Sequence, residues 1–469
     1  MTESTVPVAR RVVCVSNRVS LPRRNVAAGG LAVGVLGALR RTGGTWFGWS
    51  GELTDGDPAE PAIQIRDGVT YATMELRRSE FAPYYSGFAN GALWPLFHYM
   101  PSKFRFRSDE RDAYEEVNRQ FARNLLPLLR SDDLIWIHDY HLIPLGARLR
   151  ELGVRSPIGF FLHIPFPHIE VLRVLPCHAE LIRDLASYDL LGFQTRGDLE
   201  SFRHAVSRTF GVAVPEGSKR VVLGDRAVAA DVFPIGIDVD AVQEQAASAR
   251  HSGGVRRMVD SLLGRKLMIG VDRLDYSKGL IERFAAYEQF LEAFPENRGR
   301  VTYLQVAPLS RNDVHSYVEI RRALEQATGR TNGRFADTDW TPIRYVNRNL
   351  PHADLMGFLR AANVGLVTAL RDGMNLVAKE YVAAQDAEDP GVLILSNLAG
   401  AACELDAAVL INPHDARAVG HAIQSALQMS LVERRDRHAR LMAVLRSHDI
   451  AAWTDGFLAT LQATDNAAG

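Results

Sequence analysis

Short apolar runs alternate with longer segments of mixed polar and apolar residues along almost the whole chain. The runs have the length of buried strands, and the segments between them have the length of helices. The predicted strands are Val12–Ser16, Leu134–His138, Ile158–His163, Leu190–Gln194, Val232–Ile235, Leu267–Val271, Val301–Val306, Ile343–Val346, Val364–Thr368, Val392–Leu395 and Val409–Ile411. This alternation predicts an α/β protein with parallel sheets, because parallel strands are joined by helical crossovers.

A polar stretch with two adjacent glycines, Val242–Ser261, predicts a linker between two halves. We therefore expect two doubly wound domains, residues 1–250 and 251–447, with a cleft between them that the strand ends face. The last segment, residues 448–469, is predicted to be a helix that packs back on the first half. The glycine-rich run Gly29–Gly34 and the aromatic run Trp46–Gly51 are predicted to be loops.

Composition narrows the class of protein. The 469 residues carry a formal net charge of −1, so no overall field would attract nucleic acid or a membrane surface. Three cysteines lie far apart in the chain and indicate neither a disulfide framework nor a cysteine zinc site. The start lacks a signal-peptide core, and no 18-residue apolar run follows, so we expect a cytoplasmic protein.

One stretch combines a strand, a glycine turn and a helix start. The run Val364–Thr368 predicts a buried strand, and the Asp372-Gly373 pair predicts a tight turn. The apolar spacing after Asn375 predicts a helix, whose first N–H groups would bind phosphate. Glu380, one turn later, suits the hydroxyls of a ribose. The stretch indicates a nucleotide-sugar diphosphate site, with a plain strand–turn–helix unit capped by an Asp as the alternative.

A second cluster of charge follows the first predicted strand of the second half. Arg273 and Lys278 lie five residues apart in the loop DRLDYSKG, and Gly279 stands where a helix is predicted to begin. Arg presents a planar fork and Lys a point charge, so the two cations suit a diphosphate leaving group. The alternative is a pair of surface salt bridges to Asp272 and Asp275.

Histidines and an acid end two predicted strands of the first half. His138, Asp139 and His141 could be metal ligands, but adjacent residues at a strand end point to opposite sides, and no third cluster has zinc spacing. We therefore predict no metal and assign Asp139 to a sugar hydroxyl. His163 is either a satisfied core residue or a side chain that reaches the predicted cleft. Without a GxxxxGK[ST] or GxGxxG motif, no cofactor is predicted.

Eight segments, taken together, resemble the trehalose-6-phosphate synthases of glycosyltransferase family 20. They follow the family's order over nearly the whole chain: SNR (Ser16–Arg18), GGLAVG (Gly29–Gly34), WFGWSG (Trp46–Gly51), LWPLFHY (Leu93–Tyr99), WIHDYHL (Trp136–Leu142), FFLHIPFP (Phe160–Pro167), DRLDYSKG (Asp272–Gly279) and RDGMNLVAKEYVAAQD (Arg371–Asp386). The resemblance implies the GT-B fold, which consists of two Rossmann-like domains.

The resemblance also implies a reaction. A family member transfers glucose with retention of configuration from a nucleotide sugar, here expected to be UDP-glucose, to glucose 6-phosphate. The products are trehalose 6-phosphate and the nucleoside diphosphate. The acceptor hydroxyl attacks on the face from which the diphosphate leaves, no metal takes part, and the departing phosphate oxygen takes the proton. This chain has no room for the phosphatase domain of bifunctional relatives, so a separate phosphatase is expected to act on the product.

Residue by residue, the resemblance implies three overlapping sets. The donor set comprises Gly29, Gly30, His163, Arg273, Lys278, Leu350, Asp372, Gly373, Met374, Asn375, Leu376, Val377, Ala378, Lys379 and Glu380. The acceptor set comprises Arg18, Trp49, Tyr85, Trp94, Asp139 and Arg311. The catalytic set comprises Asp139, His163, Arg273, Lys278 and Asp372. Within them, the backbone amides of residues 376–379 would hold phosphate, and the arginines at 18 and 311 would bind the acceptor's phosphate.

Two positions depart from the family pattern, and both lie near the nucleotide. Leu350 often corresponds to an aromatic residue and Ala369 to a proline, so the base remains open among uridine, guanosine and adenosine. The alternatives are a glucosylglycerol-phosphate synthase with another acceptor and a silent sugar-phosphate-sensing homologue. The sequence leaves open whether the chain forms a homo-oligomer, and whether the product serves osmotic protection or cell-envelope supply.

Overall fold

The structure, a computed structural model, describes residues 10–19, 30–215, 217–309 and 315–465. The chain divides into two units. The first comprises the described residues up to Pro234 together with the C-terminal residues from Ala451, and the second comprises Ile235–Ile450. Among the described residues, no helix is long and apolar enough to cross a membrane.

The first unit is built on a nine-stranded sheet. Its strands are β1 (Val12–Arg18), β2 (Thr45–Thr54), β3 (Ala62–Arg66), β4 (Val69–Arg77), β5 (Leu134–His138), β6 (Ile158–Phe161), β7 (Leu190–Phe193), β8 (Arg220–Leu223) and β9 (Arg226–Val232). They lie in the order β3-β4-β2-β1-β5-β6-β7-β9-β8. Among the described residues, only the two edge strands pair antiparallel, β3 with β4 and β8 with β9. The inner strands are apolar and buried, as expected where helices cover both faces of a parallel sheet.

The helices of the first unit before the domain crossing are α1 (Gly30–Thr42), α2 (Arg78–Phe81), α3 (Trp94–Phe97), α4 (Ser108–Leu125), α5 (Leu145–Glu151), α6 (Ile169–Leu172), α7 (His178–Leu185) and α8 (Arg196–Phe210). A π-helical segment, Ala82–Leu93, joins α2 to α3. The predicted loop at Trp46–Gly51 is wrong, because this run lies in β2 and pairs in parallel with both β1 and β4. Likewise, β9 ends at Val232, where a strand was predicted to begin.

The second unit is a six-stranded sheet with every neighbour parallel. Its strands are β10 (Lys266–Val271), β11 (Val301–Val306), β12 (Ile343–Val346), β13 (Val364–Val367), β14 (Val392–Ser396) and β15 (Val409–Ile411). Its helices are α9 (Val239–Ala249), α10 (Gly253–Asp260), α11 (Leu280–Ala293), α12 (His315–Phe335), α13 (His352–Ala361), α14 (Leu376–Ala384), α15 (Ala416–Gln428) and α16 (Leu431–Ser447).

The predicted linker at residues 242–261 is instead helical, and the division between the units lies at residues 234 and 235 rather than at 250. Asp238 caps α9, its Oδ1 accepting the N–H of Ala241 at 3.0 Å. Ser252 caps α10 in the same way through Val255, at 3.2 Å. The glycine pair that suggested a linker therefore stands in the first turn of a capped helix, where glycine is tolerated.

The order of the strands locates the place where each unit can bind a ligand. The second sheet runs β12-β11-β10-β13-β14-β15, which is the 3-2-1-4-5-6 order of a doubly wound sheet. Its order reverses between β10 and β13, so the loops that follow these two strands flank an opening at their carboxyl ends. In the first unit, the same reversal lies between β1 and β5.

The final helix, α17 (Ile450–Asp465), returns to the first unit. Phe457 is fully buried and stacks on Trp136 of β5, with ring centroids 4.8 Å apart. A Cβ atom at Gly159 or Gly192 would lie 2.7 or 2.8 Å from the Phe457 ring. The lack of a side chain at these two strand positions thus makes room for the helix.

Candidate active site

Lys278 and Asp372 meet at the opening between β10 and β13. The Lys278 Nζ lies 2.5 Å from Oδ2 of Asp372, and both side chains are largely buried. The same carboxylate oxygen accepts a hydrogen bond from Nδ2 of Asn375 at 3.0 Å. The structure therefore brings together a cation, an anion and a helix start from the two stretches that the sequence singled out.

The loop after β10 is held by one local hydrogen bond, by a hydrogen bond from α12 and by a close approach to the end of β13. Asp275 Oδ1 accepts the N–H of Ser277 at 2.9 Å, and its Oδ2 accepts the hydroxyl of Tyr317 at 2.8 Å. Gly279 has φ +64°, and a Cβ there would lie 2.2 Å from the carbonyl oxygen of Thr368. Glycine is thus required at this position, because the loop passes directly against the end of β13.

The buried Arg283 side chain links the loop after β10 to β11 and to the end of β13. Its Nη1 donates to Asp272 at 2.7 Å and to Gln305 at 2.9 Å, and its Nε donates to Thr368 at 2.8 Å. Its Nη2 reaches the carbonyl oxygen of Lys278 at 3.3 Å. Because Asp272 pairs with Arg283 and Lys278 with Asp372, the alternative of a surface salt bridge from Lys278 to Asp272 or Asp275 is wrong.

The turn before α14 places a helix start at the same opening. Asn375 adopts a left-handed conformation, φ 80°, and caps the helix through Oδ1, which accepts the N–H of Ala378 at 3.2 Å. The N–H of Ala378 is therefore bonded within the cap, and the phosphate contact of this amide stays a prediction. Leu376 and Val377, both half-buried, lie at the first two helical positions.

Lys379 is buried and is bonded to other residues of the second unit. The side chain is 1 % exposed, and its Nζ donates to the carbonyl oxygen of Ile235 at 2.8 Å and to Oε2 of Glu404 at 2.7 Å. Glu404 in turn pairs with Nδ1 of His448 at 2.8 Å. Lys379 thus ties α14 to the residues next to the two points where the chain leaves this unit.

Glu380, the residue after Lys379, carries a carboxyl whose pKa is shifted by burial. Burial raises the pKa of this partly buried carboxyl to about 7. No hydrogen bond or ion pair from the described residues stabilises its charge. A carboxylate in this state gains from a ligand that donates hydrogen bonds to it, as the two hydroxyls of a ribose do.

The other donor residues predicted in this unit lie around the opening to different degrees. Gly373 and Met374 are buried in the turn, and the carbonyl oxygen of Met374 accepts the N–H of Ala401 at 2.8 Å. Arg273 is exposed in the loop after β10, and Leu350 is half-buried just before α13. Arg311 lies outside the described residues.

In the first unit, an arginine and four aromatic rings, the last of them a histidine, form a continuous row. The Arg18 guanidinium lies 5.5 Å from the Trp49 ring centroid. Trp49 contacts Phe81 at 4.7 Å, and Phe81 stacks on Tyr85 at 5.2 Å. Tyr85 then stacks on His141 at 5.6 Å with ring planes only 8° apart. The structure thus brings together three of the predicted acceptor residues, Arg18, Trp49 and Tyr85.

Trp94 is buried and connects to that row indirectly. Its ring packs on His98 and Tyr140, with centroids 4.0 and 5.6 Å apart. The Tyr140 hydroxyl donates to Oδ1 of Asn90, and the Asn90 amide donates to the Tyr85 carbonyl oxygen, both at 2.8 Å. Of the predicted glycines, Gly30 is the first residue of α1, and Gly29 lies outside the described residues.

Asp139 and His163 meet at the ends of β5 and β6. Asp139 has φ 74°, which is unusual for a residue other than glycine, and its Oδ1 accepts the N–H of His163 at 3.3 Å. His163 Nε2 lies 3.1 Å from Nδ1 of His138. Burial lowers the pKa of His163 to about 3 and that of His138 well below its usual value, so both rings are neutral near pH 7.

Several of these residues were not predicted from the sequence. Arg283 could have been found, because it places a charge on the buried face of α11 directly after the loop. The sequence indicates His138 only as a candidate metal ligand. Trp453 of α17, whose ring centroid lies 6.3 Å from that of His138, carries no sequence signal, because the residues that surround it come from elements far apart in the chain. Among the described residues, no cluster of three or more His, Cys, Asp or Glu is arranged to hold a metal ion.

The model of glycosyltransferase family 20 matches residues 10–463. This chain belongs to glycosyltransferase family 20. A curated trehalose-6-phosphate synthase of Enterobacter sp. (strain 638) is 46 % identical over 456 residues, which cover 97 % of this chain and 95 % of that protein. The expected family and the expected glycosyltransferase class are confirmed.

Solved structures agree with the family 20 assignment. A UDP-forming α,α-trehalose-phosphate synthase from Burkholderia xenovorans, in complex with glucose-6-phosphate, is 48 % identical with a TM-score of 0.93, covering 96 % of this chain and 100 % of that one. An E. coli protein bound with UDP-2-fluoro glucose is 45 % identical, with a TM-score of 0.93 and coverage of 96 % and 98 %. The expected GT-B class, with two doubly wound sheets, is therefore confirmed for this family 20 glycosyltransferase.

Proposed function

We propose that this glycosyltransferase moves glucose from UDP-glucose to glucose 6-phosphate and releases UDP, making trehalose 6-phosphate. The observation that carries the proposal is the meeting of Lys278, Asp372 and the start of α14 at the opening of the second unit. An ammonium and unpaired helical N–H groups suit the two phosphates of a nucleotide sugar. The relatives named as UDP-forming synthases support uridine as the base.

In the second unit, the donor is held by groups of different chemistry. Arg273, Lys278 and the first amides of α14 bind the diphosphate, and Glu380 accepts hydrogen bonds from the ribose. Its raised pKa supports this role, because the energetic cost of a desolvated charge is recovered only when donors reach it. Asp372 contacts the transferred glucose, where a carboxylate orients sugar hydroxyls.

The acceptor is bound by the first unit. The row of Arg18, Trp49 and Tyr85 offers a cation for the phosphate of glucose 6-phosphate and aromatic faces for a sugar ring. Asp139 takes a sugar hydroxyl, and His163 contacts the transferred glucose. Arg311 completes the phosphate contacts in this proposal.

The reaction proceeds by substitution on one face of the sugar. The bond from the anomeric carbon to the diphosphate oxygen breaks as the acceptor hydroxyl forms its bond from the same side, and the departing phosphate oxygen takes the hydroxyl proton. The chain contributes by orienting both sugars and by stabilising the charge that develops on the leaving group, which is the task of Arg273 and Lys278. No metal is needed in this scheme.

The test is nucleoside-diphosphate release by the purified protein. UDP-, GDP- and ADP-glucose are each offered with glucose 6-phosphate and then with glycerol 3-phosphate, with and without a chelator. We expect release from UDP-glucose with glucose 6-phosphate, undiminished by the chelator, and an α,α linkage by proton NMR of the product. Release only with glycerol 3-phosphate would show that glycerol 3-phosphate, and not glucose 6-phosphate, is the acceptor. Loss of activity with the chelator would show that the reaction needs a metal. No release from any pair would favour the silent homologue.

A further inference from the structure

The distance between His138 and His163 of the first unit restricts which of their ring nitrogens carry protons. His138 Nδ1 and His163 Nε2 are 3.1 Å apart, which is the distance of an N–H···N hydrogen bond. Such a bond needs a proton on one nitrogen and a lone pair on the other. Because both rings are neutral near pH 7, only two arrangements remain: either His138 donates, or His163 does.

The surroundings of His138 distinguish the two arrangements. If His163 donated, His138 would carry its proton on Nε2. That atom is buried and makes no hydrogen bond to the part of the chain that the structure describes. A buried N–H without an acceptor is costly, whereas an acceptor without a donor is tolerated more often.

The rings packed around His138 cannot supply the missing acceptor. Its neighbours are Trp136 at 4.5 Å, His163 at 5.3 Å and Trp453 of α17 at 6.3 Å between ring centroids. An indole offers an N–H donor and no acceptor nitrogen. The indole N–H groups of Trp136 and Trp453 are themselves buried without hydrogen-bond partners among the described residues. The surroundings therefore favour an unprotonated Nε2 on His138.

We propose that His138 is a positioning residue that donates its Nδ1 proton to Nε2 of His163 and thereby keeps the proton of His163 on Nδ1. The half-buried His163 ring then presents an N–H, not a lone pair, at its other nitrogen, which makes no hydrogen bond to the described residues. Its partner is an oxygen of the donor's glucose. This step rests on the proposed function, because it deepens the role of His163 in the donor site.

Trp453 gives the C-terminal helix a part in the same arrangement. Its ring contacts both histidines, His163 at 6.1 Å and His138 at 6.3 Å, and packs edge-on against Phe161 at 5.1 Å. The helix thereby covers the buried side of the pair and keeps water from His138 Nε2. A water at that nitrogen would stabilise either tautomer and remove the preference.

The first experiment reads the tautomers without any substrate. The full-length protein is labelled with ¹⁵N-histidine, and the His163 and His138 signals are assigned by comparison with His163→Gln and His138→Asn. We expect both rings to be protonated on Nδ1 by a ratio of about ten to one or more. A His163 ring protonated on Nε2 overturns the proposal, whatever reaction the protein catalyses. Failure of the proposed function would show instead as missing UDP release with an intact Nδ1–H pair.

The second experiment separates proton placement from packing. His138→Asn keeps an N–H donor near the position of Nδ1, whereas His138→Leu has none. We expect His138→Leu to lower kcat about ten- to a hundredfold while the Kd for UDP, which lacks glucose, stays unchanged. His138→Asn should recover most of kcat. Equal losses in the two variants at equal thermal stability would reduce His138 to a packing role; should neither variant fold, the tautomer of the wild-type protein decides.

Discussion

Lys278 and Asp372 lie 94 positions apart in the chain, yet their side chains form an ion pair with 2.5 Å between Nζ and Oδ2. The pair lies at the opening between β10 and β13, where the strand order reverses. In the proposed donor site, Asp372 supplies Lys278 with a negative charge that a bound diphosphate would also supply. Donor binding therefore has to compete with a carboxylate of the protein itself, and this competition can be measured.

Removing either cation of the loop after β10 should slow turnover. We expect Lys278→Ala and Arg273→Ala each to lower kcat about 10²- to 10³-fold, since each cation stabilises the charge of the leaving diphosphate. Thermal stability should change little in Arg273→Ala, because Arg273 is exposed. It should fall in Lys278→Ala, which removes the ion-pair partner of the largely buried Asp372 carboxylate and leaves its hydrogen bond from Asn375. Steady-state kinetics and thermal melts measure both effects.

A matched lysine serves as the control for that experiment. Lys219 of the first unit also forms an ion pair, 2.7 Å from Asp231, but its side chain is 79 % exposed. Lys219→Ala should leave kcat unchanged. Near-normal turnover in both loop variants would exclude the leaving-group role.

Neutralising Asp372 should affect binding and turnover in opposite directions. Asp372→Asn keeps the shape but removes the charge that competes for Lys278. We expect the affinity for UDP to stay equal or to rise by up to about fivefold, while kcat with the sugar donor falls. Calorimetric titration with UDP and kinetics with UDP-glucose give the two numbers. A loss of UDP affinity as large as the loss of kcat would contradict the competition.

Donor binding should depend on pH through Glu380. The pKa of this carboxyl is about 7 in the folded protein, and ribose hydroxyls bind its charged form. The Kd for UDP should therefore be lowest above pH 7 and rise by up to about tenfold per pH unit below it. Glu380→Gln should bind UDP more weakly at pH 8 and show a smaller pH dependence. Because the titration of UDP itself is common to both proteins, the difference between the two profiles reports the carboxyl.

The same substitution should stabilise the protein at alkaline pH. The folded pKa of Glu380 lies above the unfolded value, so the carboxyl's contribution is most favourable below about pH 4.3 and is lost as the pH rises through 7. Above pH 7, Glu380→Gln removes a cost of roughly 4 kcal/mol in the free energy of unfolding. Urea denaturation at pH 8 and pH 5 measures it. A gain equal at both pH values would assign the effect to something other than ionisation.

Arg283 should be essential for stability as well as for the loop. Both partners of its ion pair with Asp272 are almost fully buried, so Arg283→Met leaves a carboxylate without its cation. We expect a loss of about 3–5 kcal/mol in the free energy of unfolding. The control is Arg321→Met, whose pair with Glu325 is 45 % exposed on a helix and should contribute about 0.5 kcal/mol or less.

A second substitution can separate the two roles of Arg283. Replacing Asp272 by Leu in the Arg283→Met background removes the unpaired charge, so most of the lost stability should return. Turnover should stay low, because the bonds from Arg283 to Thr368 and to the Lys278 carbonyl oxygen remain missing. Recovery of turnover together with stability would mean that Arg283 does not position the loop.

Much of the second unit was predictable from local sequence. The strands Val301–Val306, Ile343–Val346 and Val409–Ile411 begin and end where the apolar runs do. Burial on both faces accounts for Val301–Val306, which is buried at every position, whereas the other two are edge strands and only partly buried. The start of α14 was also predicted, since a turn followed by Asn375 is a local signal. Its cap is this Asn, and not the Asp of the alternative interpretation.

The errors have a common physical cause. The run Trp46–Gly51 became strand β2 because two neighbouring strands pair with it, and residues 242–261 became helices because their few apolar side chains pack on α13. The propensities of residues in a short window reveal neither the pairing of β2 with its neighbours nor the packing of residues 242–261 on α13. Tertiary contacts overrode the local reading in both places.

By itself, the sequence determined the α/β class, the parallel strands, the family and the stretches that carry charge, since each follows from periodicity, turn residues or an ordered set of motifs. Only the tertiary structure decided which charges meet: Lys278 pairs with Asp372 rather than with Asp272, and His138 shares a proton with His163. These partners come from strands that adjoin only through the order of the sheet. Which strands become neighbours in a sheet depends on the connections between them, and no local pattern of residues specifies those connections.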